Sequence, residues 1–213
     1  KTITSKDNPL YKAAHRLTRK KYRDETGEYL IEGIKPVEDA VSQGINIRRI
    51  FVREDRTDSV SFPDSLVSSV DRELFQKLSS TENSQGVIAV ADKNIYPVAR
   101  LAEQMEGSSG NVLVLDRLQD PGNVGTVIRT AEAAGYEAVI VMGGTADVYS
   151  PKVVRAAAGS LFRSRLFYAA DCEEAVKSIR LSGRKIVSTD LDTDILYSSV
   201  DISENTALVI GNE

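Results

Sequence analysis

Five short apolar runs in the second half of the chain constrain the fold more than any other feature of the sequence. Each run contains three to five residues, and segments with helical spacing and capping residues separate them. Runs of this kind are typical of strands in a parallel sheet that helices cover on both faces. We therefore predict an α/β fold in which strands and helices alternate and a last strand completes the sheet. The predicted strands are residues 112–115, 138–142, 165–168, 185–187 and 207–210, and the predicted helices are 124–134, 151–158 and 172–181.

The first half of the chain predicts a smaller α/β unit. Asn8-Pro9 is a favourable helix start, because Asn can cap a helix and Pro suits its first turn, and we expect this helix to reach about Tyr22. Further helices are expected at 35–43 and 72–78, strands at 29–31, 49–53, 67–70 and 86–91, and a loop at 55–64. The predicted domains are residues 1–97 and 111–213, joined by a linker at 98–110 that contains a short helix.

The composition excludes several kinds of protein. The chain has one histidine, His15, and one cysteine, Cys172, too few for a zinc site of the Cys/His type or an internal disulfide. His15 lies in a basic segment far in sequence from any promising nucleophile, which argues against a histidine-dependent hydrolase. No apolar run is long enough to span a membrane, and the first residues lack the apolar core of a secretory signal. We expect a cytoplasmic protein with no metal site and no membrane partner.

A net charge of −4 argues weakly against nucleic acid as a partner, but the charge is unevenly distributed. No acidic residue lies between Asn8 and Arg23, and a local positive face attracts phosphate even on an acidic protein. The alternative, an ordinary solvated helix surface, stays open. The candidate RNA-binding residues are Lys12, Arg16, Arg19, Lys20, Lys21 and Arg23. Arg155, Arg163 and Arg165 are further candidates, although each is compatible with an ordinary surface charge.

Ligands of open parallel sheets bind beyond the carboxyl ends of the strands, and three such ends have unusual sequences here. The first strand leads into Asp116–Arg129, the fourth into Ser188–Asp192, and the last into Gly211–Glu213. The spacing Gly122-x-x-Gly125 matches neither the dinucleotide nor the nucleoside-triphosphate loop. A helix N-terminus with free N–H groups would still attract an anion such as an RNA phosphate, and Arg129 is near enough to grip the same anion. Alternatively, Arg129 is a surface arginine and the glycines only form a turn.

Residues 120–135, DPGNVGTVIRTAEAAG, resemble the first signature motif of the SpoU family of RNA ribose methyltransferases, part of the SPOUT superfamily. Residues 150–162 resemble the family's next typical block, and residues 208–213 resemble the opening of its second signature motif. Residues 29–33 and 81–90 are similar to the family's substrate-binding domain, although Ser84 stands where a proline is common. The resemblance therefore covers nearly the whole chain.

The resemblance implies a ribosomal-protein-like RNA-binding domain followed by an α/β-knot domain, and a homodimer that methylates a ribose 2′-hydroxyl with S-adenosyl-L-methionine. Its catalytic residues would be Asn123, Arg129 and Glu213. Its cofactor-binding residues would be Gly211, Asn212, Thr189 and Leu191. By family analogy, the substrate would be structured RNA, with 23S ribosomal RNA preferred over transfer RNA. Arg129 would bind the phosphate beside the target ribose and stabilise the developing alkoxide, although a deprotonated arginine has also been considered in the family.

The family's second motif continues past its glutamate, whereas this sequence stops at Glu213. We therefore expect an incomplete knot and poor binding of S-adenosylmethionine. Two other classes of protein make different predictions. A nucleotide-dependent oxidoreductase would need the dinucleotide motif, which is absent from this sequence. A non-catalytic RNA-binding protein would bind RNA without any cofactor.

Overall fold

A computed structural model describes residues 2–59 and 61–211. The first half of the chain forms four helices and four strands among these residues: α1 (Pro9–Arg16), α2 (Lys20–Thr26), β1 (Glu28–Glu32), α3 (Ile34–Ser42), β2 (Ile47–Arg53), β3 (Val67–Val70), α4 (Arg72–Leu78) and β4 (Val87–Asp92). Short 3₁₀ helices occur at Glu54–Ser59, inside the predicted loop, and further along the chain at Val98–Arg100 and Tyr197–Ser199.

The second half continues the alternation of strands and helices. Its described elements are β5 (Ile95–Pro97), α5 (Leu101–Gln104), β6 (Val112–Asp116), α6 (Pro121–Ala133), β7 (Ala138–Met142), α7 (Pro151–Ala157), α8 (Ser160–Arg163), β8 (Arg165–Ala169), α9 (Cys172–Leu181), β9 (Lys185–Ser188) and β10 (Thr206–Gly211). All five strands predicted in this half are present.

The chain divides into two compact units. The first contains Lys1–Lys93 and Tyr149–Phe162, and the second contains Asn94–Val148 and Arg163–Glu213. The prediction, with domains at residues 1–97 and 111–213, assigned segment 149–162 to the second domain, whereas this segment belongs to the first unit. In the first unit the Tyr149 ring packs against the buried Tyr29 of β1, with 4.6 Å between ring centroids. This long-range contact has no signature in local sequence.

The first unit has a four-stranded sheet in the order β1-β4-β2-β3. Strand β4 pairs antiparallel with both β1 and β2, and β3 joins β2 in parallel. The predicted first helix is interrupted: α1 starts under an Asn8 side-chain cap, as expected, but ends at Arg16. The Thr18 hydroxyl donates to the His15 carbonyl at 2.8 Å, and Arg19 is extended, so α2 starts as a separate helix.

The second unit has a six-stranded sheet in the order β5-β8-β7-β6-β10-β9, with every described pair parallel. All five residues of β7 are buried, as are the first four of β6, which explains their continuous apolar sequences. These observations confirm the predicted α/β class and parallel sheet.

The predicted linker, residues 98–110, is largely built into the second unit. Val98, Leu101 and Met105 are buried in the same apolar cluster as the sheet residues Val114, Ile140 and Phe167. Strand β5 precedes this segment and pairs with β8 at the edge of the sheet. It was not predicted because it has only three residues and ends in proline, a residue that sheets tolerate at their edges.

Candidate active site

The carboxyl edge of the parallel sheet brings together the ends of β6 and β10. These two strands are paired, and Gly211 at the end of β10 is in register with Asp116 at the end of β6. From β6, strands β7 and β8 extend to one side of the sheet, whereas β10 and β9 extend to the other. Such a reversal of strand order is the usual location of a ligand crevice in an open α/β sheet.

Helix α6 begins directly after this edge and is tightly capped. Pro121 occupies its first turn and has no N–H, while the Asp120 carboxylate accepts a hydrogen bond from the Asn123 N–H at 2.8 Å. The Val124 N–H donates to the Asp120 carbonyl at 3.0 Å. The Asp120 carboxylate therefore occupies part of the helix start that was expected to attract an anion, and that expectation stays a prediction. Because this carboxylate is negatively charged, an anion beside α6 would need a nearby cation.

Arg129 supplies such a cation on α6. Its side chain is exposed and forms no ion pair or hydrogen bond with any residue that the structure describes. Arg129 follows Pro121 by eight positions, about 12 Å along the helix axis at 1.5 Å per residue. Helical side chains slope towards the N-terminus, and Thr126 and Gly125, three and four positions earlier, are small. The guanidinium can therefore extend along the helix towards the sheet edge.

Asn123 lies in the first turn of α6 with an exposed side chain. Asn123 and Arg129 are six positions apart, which places their side chains about 120° apart around the helix. No hydrogen bond joins them in the part of the chain described here, and none joins the Asn123 amide to the preceding loop. Both side chains are thus directed to solvent and available to a ligand.

The loop after β6 is braced against the loop after β7. The Arg117 N–H donates to the Thr145 hydroxyl at 3.0 Å, and that hydroxyl donates to the Leu115 carbonyl at 2.9 Å. The Gln119 amide donates to the Gly144 carbonyl at 2.7 Å. These bonds hold Arg117 in the left-handed region, at φ 56°, an uncommon conformation for a residue with a side chain. The start of α6 is therefore held in one position relative to the sheet.

Asp116 and Arg117 also lie at this edge, although neither was predicted as a site residue. The Arg117 guanidinium donates to both Asp116 carboxylate oxygens, at 2.9 and 3.0 Å. Hydrogen bonding to Asp116, and then its charge, raise the pKa of Arg117. A signal was available in the sequence: an acid followed by a base at the end of the first strand, and Gly143-Gly144 at the end of the second. The charge of the Asp116 carboxylate is therefore neutralised by Arg117, and this edge of the sheet does not present a free carboxylate at Asp116.

The segment after β9 reaches the same edge. Thr189 donates its N–H to the Val209 carbonyl at 3.2 Å, which places it beside the last residues of β10. Leu191 is 88% exposed and does not contact the core; Ile195, Leu196 and Tyr197 are exposed large apolar side chains in the same loop. Gly211 is exposed, and a Cβ added there would meet no atom within 4 Å. Asn212 and Glu213, also predicted site residues, lie outside the described residues.

The six candidate RNA-binding residues have different environments in the first unit. Arg23 is 4% exposed, and its guanidinium donates to the Leu17 carbonyl at 2.7 Å. It was wrong to place Arg23 on an RNA-binding surface, because its side chain packs under the junction of α1 and α2. Arg16 and Arg19 are exposed. The three lysines pair with acidic residues just outside the basic segment: Lys12 with Asp7 at 2.8 Å, Lys20 with Asp24 at 2.6 Å and Lys21 with Glu25 at 3.8 Å.

Two other features are absent from residues 2–59 and 61–211. No group of three or more His, Cys, Asp and Glu side chains lies close enough together to hold a metal ion. No helix in these ranges combines the length and the apolar character that crossing a bilayer requires.

Two family profiles match the chain. That of the SpoU rRNA Methylase family matches residues 110–213, and that of an MRM3-like substrate binding domain matches residues 8–89. The 23S rRNA (guanosine(2553)-2'-O)-methyltransferase RlmP of Bacillus subtilis (strain 168) is 33% identical over 218 residues, covering 100% of this chain and 83% of the relative. The 23S rRNA (uridine(2479)-2'-O)-methyltransferase of Streptomyces viridochromogenes is 32% identical over 231 residues, covering 99% of this chain and 77% of the relative.

The fold is also similar to that of a solved structure. The AdoMet-bound rRNA methyltransferase from Sinorhizobium meliloti superimposes with a TM-score of 0.86 and 33% identity, covering 100% of this chain and 81% of that protein. The motif beginning at Asp120, the parallel sheet whose first strand leads into it, and these similarities agree with one another. The chain belongs to the SpoU rRNA methylase family of ribose 2′-O-methyltransferases.

Proposed function

We propose that this protein transfers a methyl group from S-adenosylmethionine to a ribose 2′-hydroxyl of 23S ribosomal RNA. The observation that supports the proposal most strongly is Arg129, an exposed cation without a described protein partner on the helix that follows the central strand β6. The relatives modify 23S rRNA, one at a guanosine and the other at a uridine. The ribose is therefore the shared target, and the choice of base differs between relatives.

The cofactor would be held where β9 and β10 end. Gly211 presents open backbone there, and Thr189 is bonded beside it. The apolar side chain of Leu191 is exposed in the same loop and suits the adenosine part of the cofactor. Asn212 would assist binding next to Gly211. When bound, S-adenosylmethionine supplies an activated methyl group on its sulfonium.

The residues of α6 would act on the RNA. Arg129 would bind the phosphate beside the target ribose through paired N–H donors and stabilise the negative charge that develops on the 2′-oxygen. The 2′-oxygen would form its bond to the methyl carbon as the methyl–sulfur bond breaks and S-adenosylhomocysteine leaves, and the hydroxyl proton would pass to water. A guanidinium with a pKa above about 12 is a poor general base, so its role is electrostatic. Asn123 would hydrogen-bond the RNA at the start of the helix, and Glu213 would orient the site.

The proposal is tested by methyl transfer from tritium-labelled S-adenosylmethionine to a 23S rRNA transcript, with the product identified as a 2′-O-methyl nucleoside by mass spectrometry. Arg129→Ala should lower kcat/KM by about 100-fold or more, the range for losing a donor that stabilises transition-state charge. Arg180→Ala, an exposed arginine of α9 in the same unit, is the matched control and should stay near wild type.

Several outcomes would contradict the proposal. Near-normal turnover by Arg129→Lys, with unchanged RNA affinity, would exclude a two-pronged grip on phosphate. Methylation of a transfer RNA in preference to the 23S transcript would mean that the substrate is transfer RNA and not 23S rRNA. RNA binding without any methyl transfer would favour a non-catalytic RNA-binding protein.

We also propose that the protein acts as a homodimer in the cytoplasm. Ile195, Leu196 and Tyr197 are consecutive exposed apolar side chains of the kind that interfaces cover. A ribosomal RNA substrate and a single exposed cysteine suit a reducing cytoplasm. Light scattering after size exclusion should give the mass of two chains; the mass of one chain would contradict the dimer.

A further inference from the structure

A groove in the first unit has polar side chains that the proposed catalytic site does not use. Its volume is about 690 Å³, and it lies between the start of α3, the segment that follows α4, and α7. Its exposed lining residues are Lys35, Glu82, Asn83, Gln85 and Arg155. All of these except Glu82 can donate hydrogen bonds, and two are cations.

The carboxylate of Glu32 at the end of β1 fixes one wall of this groove. It accepts hydrogen bonds from the Ser80 N–H at 2.8 Å, the Ser80 hydroxyl at 2.6 Å and the Thr81 hydroxyl at 2.9 Å. The Ser79 hydroxyl donates to it as well. With four donors on one carboxylate, the segment 79–81 is held against β1, and the groove is formed before any ligand arrives.

Arg155 is attached to this wall through a serine. Its Nη1 donates to the Ser80 hydroxyl oxygen at 2.7 Å, and that hydroxyl in turn donates to Glu32. No carboxylate of the described residues forms an ion pair with Arg155. The guanidinium has five N–H donors, so most of them stay available to an anion while one contact fixes the position of the group.

The opposite side of the groove presents amide groups. The Gln85 side-chain oxygen accepts the Ile34 N–H at 2.9 Å, which leaves its NH₂ donors free to face a ligand. Gly33 adopts φ 110°, and a Cβ there would come within 3.1 Å of Pro36 Cδ and 3.3 Å of the Gln85 oxygen. Close packing thus orients Gln85, whereas the neighbouring Asn83 can both donate and accept.

We propose that this groove binds one unpaired nucleotide of the RNA substrate, with its phosphate at Lys35 and Arg155 and its base edge at Asn83 and Gln85. The inference rests on the proposed function. Side-chain amides match the donor and acceptor edges of bases, and cations match phosphate. A paired base in an RNA duplex does not offer its Watson–Crick edge, whereas a base in a loop does. The lining residues include no aromatic side chain, so the base would be recognised through hydrogen bonds to its edge and not by stacking on an aromatic ring.

The test is fluorescence anisotropy with two labelled probes: a hairpin RNA with a short unpaired loop, and a fully paired duplex of the same stem. Asn83→Ala and Arg155→Ala should each weaken hairpin binding by about tenfold and leave duplex binding unchanged. Arg155→Ala and Lys35→Ala should also lower the salt slope of hairpin binding by about one, and Asn83→Ala should not. The controls are Arg72→Ala and Lys77→Ala, exposed cations of α4 in the same unit.

Hairpin affinity that is unchanged in the Arg155 and Asn83 variants would overturn the groove proposal, and so would equal losses for hairpin and duplex. A second measurement uses 4-thiouridine in the hairpin loop: crosslinks should map to residues 79–86 or 151–155, and crosslinks confined to α1 and α2 would overturn the proposal. Binding is measured without S-adenosylmethionine. A wild-type protein that binds the hairpin selectively but transfers no methyl group would therefore refute the proposed activity and not the groove.

Discussion

Replacing Arg184 should destabilise the protein strongly, although Arg184 lies at the end of the sheet opposite the candidate site. Arg184 is 3% exposed and immediately precedes β9. Its guanidinium donates to the carbonyl oxygens of Ser108 at 3.0 Å, Gly110 at 2.8 Å and Ser182 at 3.0 Å. Burial lowers the pKa of Arg184, but an arginine remains charged at neutral pH. The side chain thus ties the segment before β6 to the segment before β9.

The size of the effect follows from these three contacts. Arg184→Met keeps most of the side-chain volume but leaves three half-buried carbonyl acceptors without their protein donor. A fully buried acceptor left unpaired costs about 1–3 kcal/mol, and partial access of water reduces this cost here. Removal of a buried charge offsets a further part of the loss, because the charge no longer has to be desolvated. We expect a decrease of about 2–4 kcal/mol in the free energy of unfolding, or on the order of 10 °C in Tm.

Urea unfolding followed by circular dichroism measures this change. Arg180→Met, an exposed arginine four residues earlier, is the control and should change the free energy of unfolding by less than about 0.5 kcal/mol. The free energy of unfolding of Arg184→Lys should lie between those of Arg184→Met and Arg180→Met. One ammonium group cannot reach all three carbonyls as the planar guanidinium does. If Arg184→Met were no less stable than Arg180→Met, the three hydrogen bonds of Arg184 would not contribute to the stability of the protein.

The remaining predictions concern the first unit. Burial raises the pKa of Glu32, but hydrogen bonds from Ser79 and Ser80 outweigh it and lower the pKa below its ordinary value. Its contribution to stability is therefore present above the unfolded-state pKa of about 4.3 and lost as the pH falls through the folded pKa. The stability advantage of wild type over Glu32→Gln should shrink between about pH 6 and pH 3 in urea titrations; a constant difference would contradict this. Arg19→Ala should reduce the salt slope of RNA binding by about one without changing Tm. Arg23→Ala, by contrast, should lower the Tm and leave that slope intact, and the reverse result would return Arg23 to the RNA surface.

Local sequence was sufficient to predict most of the elements and the type of sheet. A strand that is buried on both faces needs apolar side chains at every position, so β6 and β7 are visible as continuous runs. Two helix starts are equally local, because Asn8 and Ser150 each cap a helix with their own side chain. Helix α6, by contrast, starts at Pro121 under an Asp120 cap, three residues before the predicted start. The family motif likewise occupies one continuous segment, which is why the family could be identified from the sequence.

Tertiary packing decided which distant segments meet. Strand β10 lies between β6 and β9, and this places Gly211 beside Asp116, 95 positions earlier in the chain. Segment 149–162 joins the first unit, where Arg155 reaches Ser80 across 75 positions. The burial of Arg23 depends on a break between two helices and not on its own charge. Periodicity and capping reflect neighbours within a few residues, whereas strand order, burial of a charge and the shape of a groove depend on contacts that form only when the chain folds.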